Sequence, residues 1–159
     1  MTETRWLNES EQQAWRKLAG VFLRLSPALD SQLQRDSELN HFDYLCLAML
    51  SEAGGRTLRM SELAVQVNSS LSRLSHVVNK LEQRGWVERC PNADSRRVTM
   101  AKLTDNGFAV LEAAAPAHVE TVRQLVFEGL SAQQVKQLET IACHIVERIE
   151  AAGLRSVNG

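Results

Sequence analysis

From Glu9 to about Gln34 the apolar residues Trp15, Leu18, Ala19, Phe22, Leu25, Leu29 and Leu33 recur at three- and four-residue steps, so this stretch predicts a helix with one apolar face. Pro27 falls inside it, where the missing backbone donor should bend the helix or divide it near Ser26. A second helix is expected over 41–52, with Phe42, Leu45, Cys46, Met49 and Leu50 inward, and "AGG" at 53–55 ends it. Residues 57–59 read as a short extended piece. "MSELAVQVN" then predicts two helical turns with Leu63, Ala64 and Val67 inward, and Asn68 to Ser70 supplies a turn and an N-cap. In the helix that follows, Leu71, Leu74, Val78 and Leu81 form one stripe, and Ser69, Ser72, Arg73, His76, Asn79 and Lys80 form the other face; Gly85 stops it.

The period then switches from helical to alternating. "WVERC" sets Trp86, Glu88 and Cys90 against Val87 and Arg89, and "RVTMAKL" sets Val98, Met100 and Lys102 against Thr99, Ala101 and Leu103, which predicts two strands around a Pro- and Asn-marked loop. Thr104 caps a further helix (Phe108, Leu111, Ala115, Val119, Val122, Val126) running through Pro116 to about Glu128. Ser131 starts a last helix with Val135, Leu138, Ile141, Ala142, Ile145 and Ile149 expected inward. The fold class is therefore mainly α with a small β-wing. Helix, turn, helix and hairpin in that order make a winged helix-turn-helix over 39–103, carried on a helical scaffold formed by 1–38 and 104–159.

Charge sharpens this picture. The net charge is −1, yet between Gly54 and Thr104 there are nine Lys or Arg against four acids, and the rest of the chain carries −6. A basic middle on an acidic scaffold fits a module that meets nucleic acid. With 44% apolar and 23% charged residues the chain should fold as one compact unit, and no run reaches the roughly 18 apolar residues of a membrane span. The first residues lack a basic start and apolar centre, so a cytoplasmic location is expected. Cys46, Cys90 and Cys143 are scattered and the four histidines show no HxxxH, so neither a zinc site nor another cofactor is expected. Cys46 and Cys143 read as small buried hydrophobes, and Cys90 as the more exposed thiol.

In a winged helix the second helix of the pair fits the major groove and its N-terminal half reaches base edges. Ser69, Ser70 and Ser72 could donate to phosphates or bases, although capping alone also explains a serine there. Arg73 could pair bidentately with guanine, while His76 and Lys80 lie on the same face, where simple solvation is the competing reading. Arginines on a narrow loop suit the minor groove, so Arg96 and Arg97 are expected to contact DNA, with Asp94 bracing a neighbouring arginine by a charge-assisted bond. Turn stabilisation explains Asp94 equally well but leaves the paired arginines without a role.

Residues 60–107, with the D-x-R of Asp94 and Arg96 followed by "LTDNG", resemble the MarR (multiple antibiotic resistance regulator) family of transcription factors. The resemblance implies a homodimer joined through the first helix and the last two, binding double-stranded DNA at a pseudo-palindromic operator. It implies Arg96 as the minor-groove residue and Asp94 as its support. It also implies a repressor released by a small, aromatic or phenolic effector held between scaffold and DNA-binding lobe. Trp15, Arg16, His41 and Arg123 are the candidates for that pocket, against core packing for Trp15 and surface ion pairs for the arginines. Rival readings are a thiol-based oxidant sensor using Cys90 or Cys46, and a winged helix that binds protein without specific DNA binding. An enzyme has least support, because no nucleophile, base and orienting group cluster in the motifs.

Overall fold

The computed structural model describes residues 4–93, 95 and 97–153. Asp94 and Arg96 lie outside the described residues, so their expected roles are carried by the sequence alone. Helix α1 (Glu9–Ser37) opens with a capping box: the Asn8 side chain accepts from the Glu11 backbone, and the Glu11 carboxylate accepts from the Asn8 backbone, both at 2.9 Å. It runs undivided through Pro27, so of the two expectations there, bend or division, division does not occur. Helix α2 (His41–Glu52) is capped by Asn40. After a 3-10 turn at Gly54–Arg56 come strand β1 (Thr57–Arg59), helix α3 (Met60–Gln66) and helix α4 (Leu71–Gln83). Gly85, with φ 72°, turns the chain from α4 into the hairpin of β2 (Val87–Pro91) and β3 (Thr99–Leu103).

The sheet order is β1-β3-β2, all antiparallel, with Val87 opposite Leu103 and Cys90 opposite Met100. Val87, Ala101 and Leu103 point into the core, while Glu88 and Lys102 face each other outward at 3.0 Å. "LTDNG" closes this wing. The Thr104 hydroxyl donates to the Gly85 carbonyl at 2.7 Å and accepts from the Gly107 backbone at 3.0 Å, so one side chain ties the start of the hairpin to helix α5 (Asp105–Val122). At Gly107 a Cβ would stand 2.0 Å from the Trp86 carbonyl oxygen, so only glycine fits. Past Val122 the backbone widens to a π-helical turn at Arg123–Phe127, and after a capping box at Ser131 the last helix, α6 (Ala132–Ala151), follows.

Leu33, Leu39, Cys46, Leu47, Leu50, Leu63, Leu74, Val78 and Leu81 are fully buried and form one core beneath α4 and the sheet. Of the apolar faces expected inward, the end of α1 is buried at Leu29 and Leu33, but the first half of α1 and the face of α6 are not: Trp15 is 55% exposed, Phe22 58% and Ile141 57%. Periodicity located these stripes correctly, but Trp15, Phe22 and Ile141 stay more than half exposed among the described residues. Leu71, placed on the inner stripe of α4, is also exposed, because that first turn projects beyond the core.

Candidate nucleic-acid interface

Helix α4 owes its position to the core face of Leu74, Val78 and Leu81, which leaves its opposite face outward. Ser70 is the N-cap, accepting from the Arg73 backbone at 3.2 Å. Ser72, Arg73 and His76 are exposed on the N-terminal half, where base-reading groups of a recognition helix belong. The Arg73 guanidinium lies 4.7 Å from the centre of the Phe42 ring, which gives the charged group a resting place without neutralising it.

One expected contact residue, Ser69, is corrected, and another, Lys80, is found with a partner inside the fold. Ser69 is buried, at 2% exposure, and its hydroxyl donates to the Ser70 carbonyl at 3.2 Å, so it shapes the turn between α3 and α4 instead of facing outward. The Lys80 ammonium sits 2.5 Å from Asp43 on α2, whose side chain is 3% exposed. Among the described residues nothing else bonds the second Asp43 oxygen, Oδ1. Lys80 therefore compensates a buried carboxylate and links α4 to α2.

Arg97 lies exposed in the wing turn, where the Val98 backbone donates to the Ser95 carbonyl at 3.1 Å. Arg89 of β2 was not among the expected site residues. It bonds Ser75, Asn79 and Glu82 of α4. Its signal was present in the alternation, which put a cation on the same side of the strand as the core residue Val87 and so required a partner.

The four candidate effector residues do not come together. His41 stands at the start of α2, its backbone donating to Asp30 of α1 at 2.8 Å. Its ring lies 5.6 Å from that of His118 on α5, which is itself buried, packed 4.3 Å from Tyr44 and hydrogen-bonded to Gln32 at 3.1 Å. Burial pushes both imidazoles below their ordinary range. Asp30 partly opposes this at His41, and the neighbouring His41 adds to it at His118. Arg16 is fourteen residues before Asp30 on α1, about 21 Å at 1.5 Å per residue. It borders a groove of about 960 Å³ over Val21, Leu25, Leu125 and Val126. Trp15 and Arg123 are exposed.

Of the thiols, Cys46 is buried as expected and Cys143 is not. Cys46 is fully buried, and burial together with Asp43 pushes its thiol up to about 12, which leaves it without the thiolate an oxidant sensor needs. Cys143 is exposed on α6, whose apolar face has no cover in the single chain, and Cys90 is half-buried. Among the described residues no group of three or more His, Cys, Asp or Glu is placed to hold a metal ion. No described helix is long and apolar enough to cross a membrane.

Comparison with known proteins places this geometry. The MarR family model matches residues 39–99, which is the lobe built from α2 to the hairpin. The transcriptional repressor MprA of Escherichia coli K12 is 28% identical over 112 residues, 70% of this chain; the alignment spans 63% of MprA, less than two thirds of its length. AbsC, a MarR family transcriptional regulator from Streptomyces coelicolor, superposes with a TM-score of 0.88 at 35% identity, covering 93% of this chain and 99% of AbsC. Sco3205, from the same organism and solved in complex with DNA, superposes with a TM-score of 0.89 at 43% identity, covering 92% of each chain. Identity at that level over nearly the whole length of both proteins establishes the relationship, and this chain belongs to the MarR family of transcriptional regulators.

Proposed function

We propose that this chain binds double-stranded DNA in a sequence-specific manner as a homodimer in the cytoplasm, and that it acts as a repressor on a pseudo-palindromic operator. The observation that carries the reading is the exposed N-terminal half of α4, with Ser72, Arg73 and His76 outward beside a wing whose Arg97 is exposed. Sco3205, similar over its whole length, was solved with DNA bound, and MprA is named a repressor; both support the reading. Residues 39–103 would form the DNA-reading lobe, and 1–38 with 104–159 the dimerising scaffold.

The dimer has its own support in unburied apolar surface. Trp15 and Phe22 on α1, Leu125 and Phe127 in the π-helical turn, and Ile141 and Val146 on α6 are each at least 40% exposed. Faces of this size on three elements are unfavourable in water unless something covers them, and a second copy would do so symmetrically. Two-fold symmetry would then set two recognition helices about 34 Å apart, one turn of DNA. A small effector belongs to the reading through the family resemblance, since Trp15, Arg16, His41 and Arg123 do not converge within one chain.

The test is selection of duplexes from a random pool by the purified protein, followed by fluorescence anisotropy on the recovered sequence. A two-fold symmetric motif bound with a stoichiometry of two chains per duplex is the expected result. Recovery of no motif would leave a winged helix that serves protein contacts.

A further inference from the structure

Arg89 is a wing side chain that grips the recognition helix at several points. Its Nη2 donates to the Ser75 carbonyl at 2.9 Å and to the Ser75 hydroxyl at 3.1 Å. Its Nη1 donates to the Asn79 side chain and to the Glu82 carboxylate, and its backbone N–H donates to the other Glu82 oxygen at 2.9 Å. Residues 75, 79 and 82 lie on successive turns of α4, so the anchor points span about 10 Å of that helix at 1.5 Å per residue. The guanidinium is planar with donors in a fixed fork, and at 23% side-chain exposure it meets little competition from water. By contrast, the Glu88–Lys102 pair joins β2 to β3 and leaves the angle to α4 free. Without Arg89 the hairpin would remain joined to α4 chiefly through the left-handed turn at Gly85 and the packing of Val87.

We propose that Arg89 is a positioning residue that sets the distance and angle between wing and recognition helix, so that both reach the same DNA in register. It touches no DNA itself. The inference rests on the DNA-binding reading above. Its consequence is selective: a loosened wing would lose the contacts it makes at the flanks of the operator, while α4, held by the core, would go on reading the inner base pairs.

The experiment compares wild type, Arg89→Lys and Glu82→Gln by anisotropy on three duplexes: the sequence recovered by selection with wild type, the same with its outer flanking pairs exchanged, and the same with one inner pair exchanged. Thermal melts of each protein are run in parallel. Lysine keeps the charge but cannot span Ser75, Asn79 and Glu82 together. Arg89→Lys is expected to melt close to wild type and bind the recovered duplex about tenfold more weakly. Its discrimination at the flanks should shrink to within about twofold while discrimination at the inner pair is kept. Glu82→Gln, which keeps one acceptor oxygen and loses the other and the charge, should shift flank discrimination in the same direction by less, and carries the test if Arg89→Lys does not fold. Flank and inner discrimination both retained, or both lost together, would overturn the clamp. Failure of the wild type to bind any duplex would overturn the DNA-binding reading, and this inference with it.

Discussion

Arg73 and Lys80 are seven residues apart on α4, two turns along one face, yet they have different work. Arg73 is exposed over the Phe42 ring, whereas Lys80 sits on the buried Asp43. Replacing Arg73 by alanine should cost about 1–3 kcal/mol of operator binding and relax base preference, measured by anisotropy on sequence variants. Lys80→Ala should instead destabilise the fold by about 1–3 kcal/mol in urea unfolding, because it would leave the buried Asp43 carboxyl group without its partner. Helical spacing put both on the outer face, and it could go no further: Asp43 is distant in sequence, and only tertiary packing brings it to Lys80. Ser69 was misplaced for a related reason. A serine-rich turn looks the same from sequence whether its hydroxyls cap, pack or face solvent. His118 shows the reverse case, since its burial against His41, Tyr44 and Gln32 joins α1, α2 and α5 and was invisible in the spacing. Both imidazoles are held below their ordinary range, so the folded state binds fewer protons than the unfolded one. Their contribution is complete above about pH 6.5 and is lost as pH falls through the depressed folded values. The melting temperature should accordingly drop by a few degrees, about 2–4 °C, on acidification from about pH 7.5 to 5, and His118→Gln should flatten part of that slope in a series of melts.

At the scale of elements, almost every helix and strand was legible, because each combines a clear period with a clear stop. Asn8, Asn40, Ser70, Thr104 and Ser131 all act as N-caps, and Gly85 ends α4 as its position suggested. Pro27 does not divide α1, because a proline costs a helix one bond and some strain, which a 29-residue helix with capped ends tolerates. The π-helical turn after Val122 left no mark in the apolar spacing, which continues smoothly through Val126. The glycine of "LTDNG" was recognised as part of a motif, but its reason is packing: there is no room for a methyl group between α5 and the Trp86 carbonyl. Gly107→Ala should therefore lower stability by about 3 kcal/mol, at the upper end of overpacking effects, and denaturant titration would read this directly.

For the whole molecule, the spacing showed apolar stripes on α1 and α6, and the family resemblance implied that a second copy covers them. If a second copy does, the chain of 17.8 kDa should sediment at twice its mass, and its apparent melting temperature should rise with concentration. A monomer at all concentrations would refute the proposed assembly. The ion pairs described above also bear on how such a dimer would hold DNA. Of the nine basic side chains between Gly54 and Thr104, Arg56, Arg59, Lys80, Arg89 and Lys102 each already face a carboxylate of their own chain. A polyanion approaching this surface meets at most four uncommitted cations in each chain instead of nine. At about 0.9 per neutralised phosphate, nine free cations in each of two chains would give a log–log dependence of affinity on ionic strength of about −16; with the five paired ones withheld it becomes no steeper than about −7. A measured slope of about −7 would mean that the five ion pairs stay closed on the operator, and a steeper one that they open to meet phosphates.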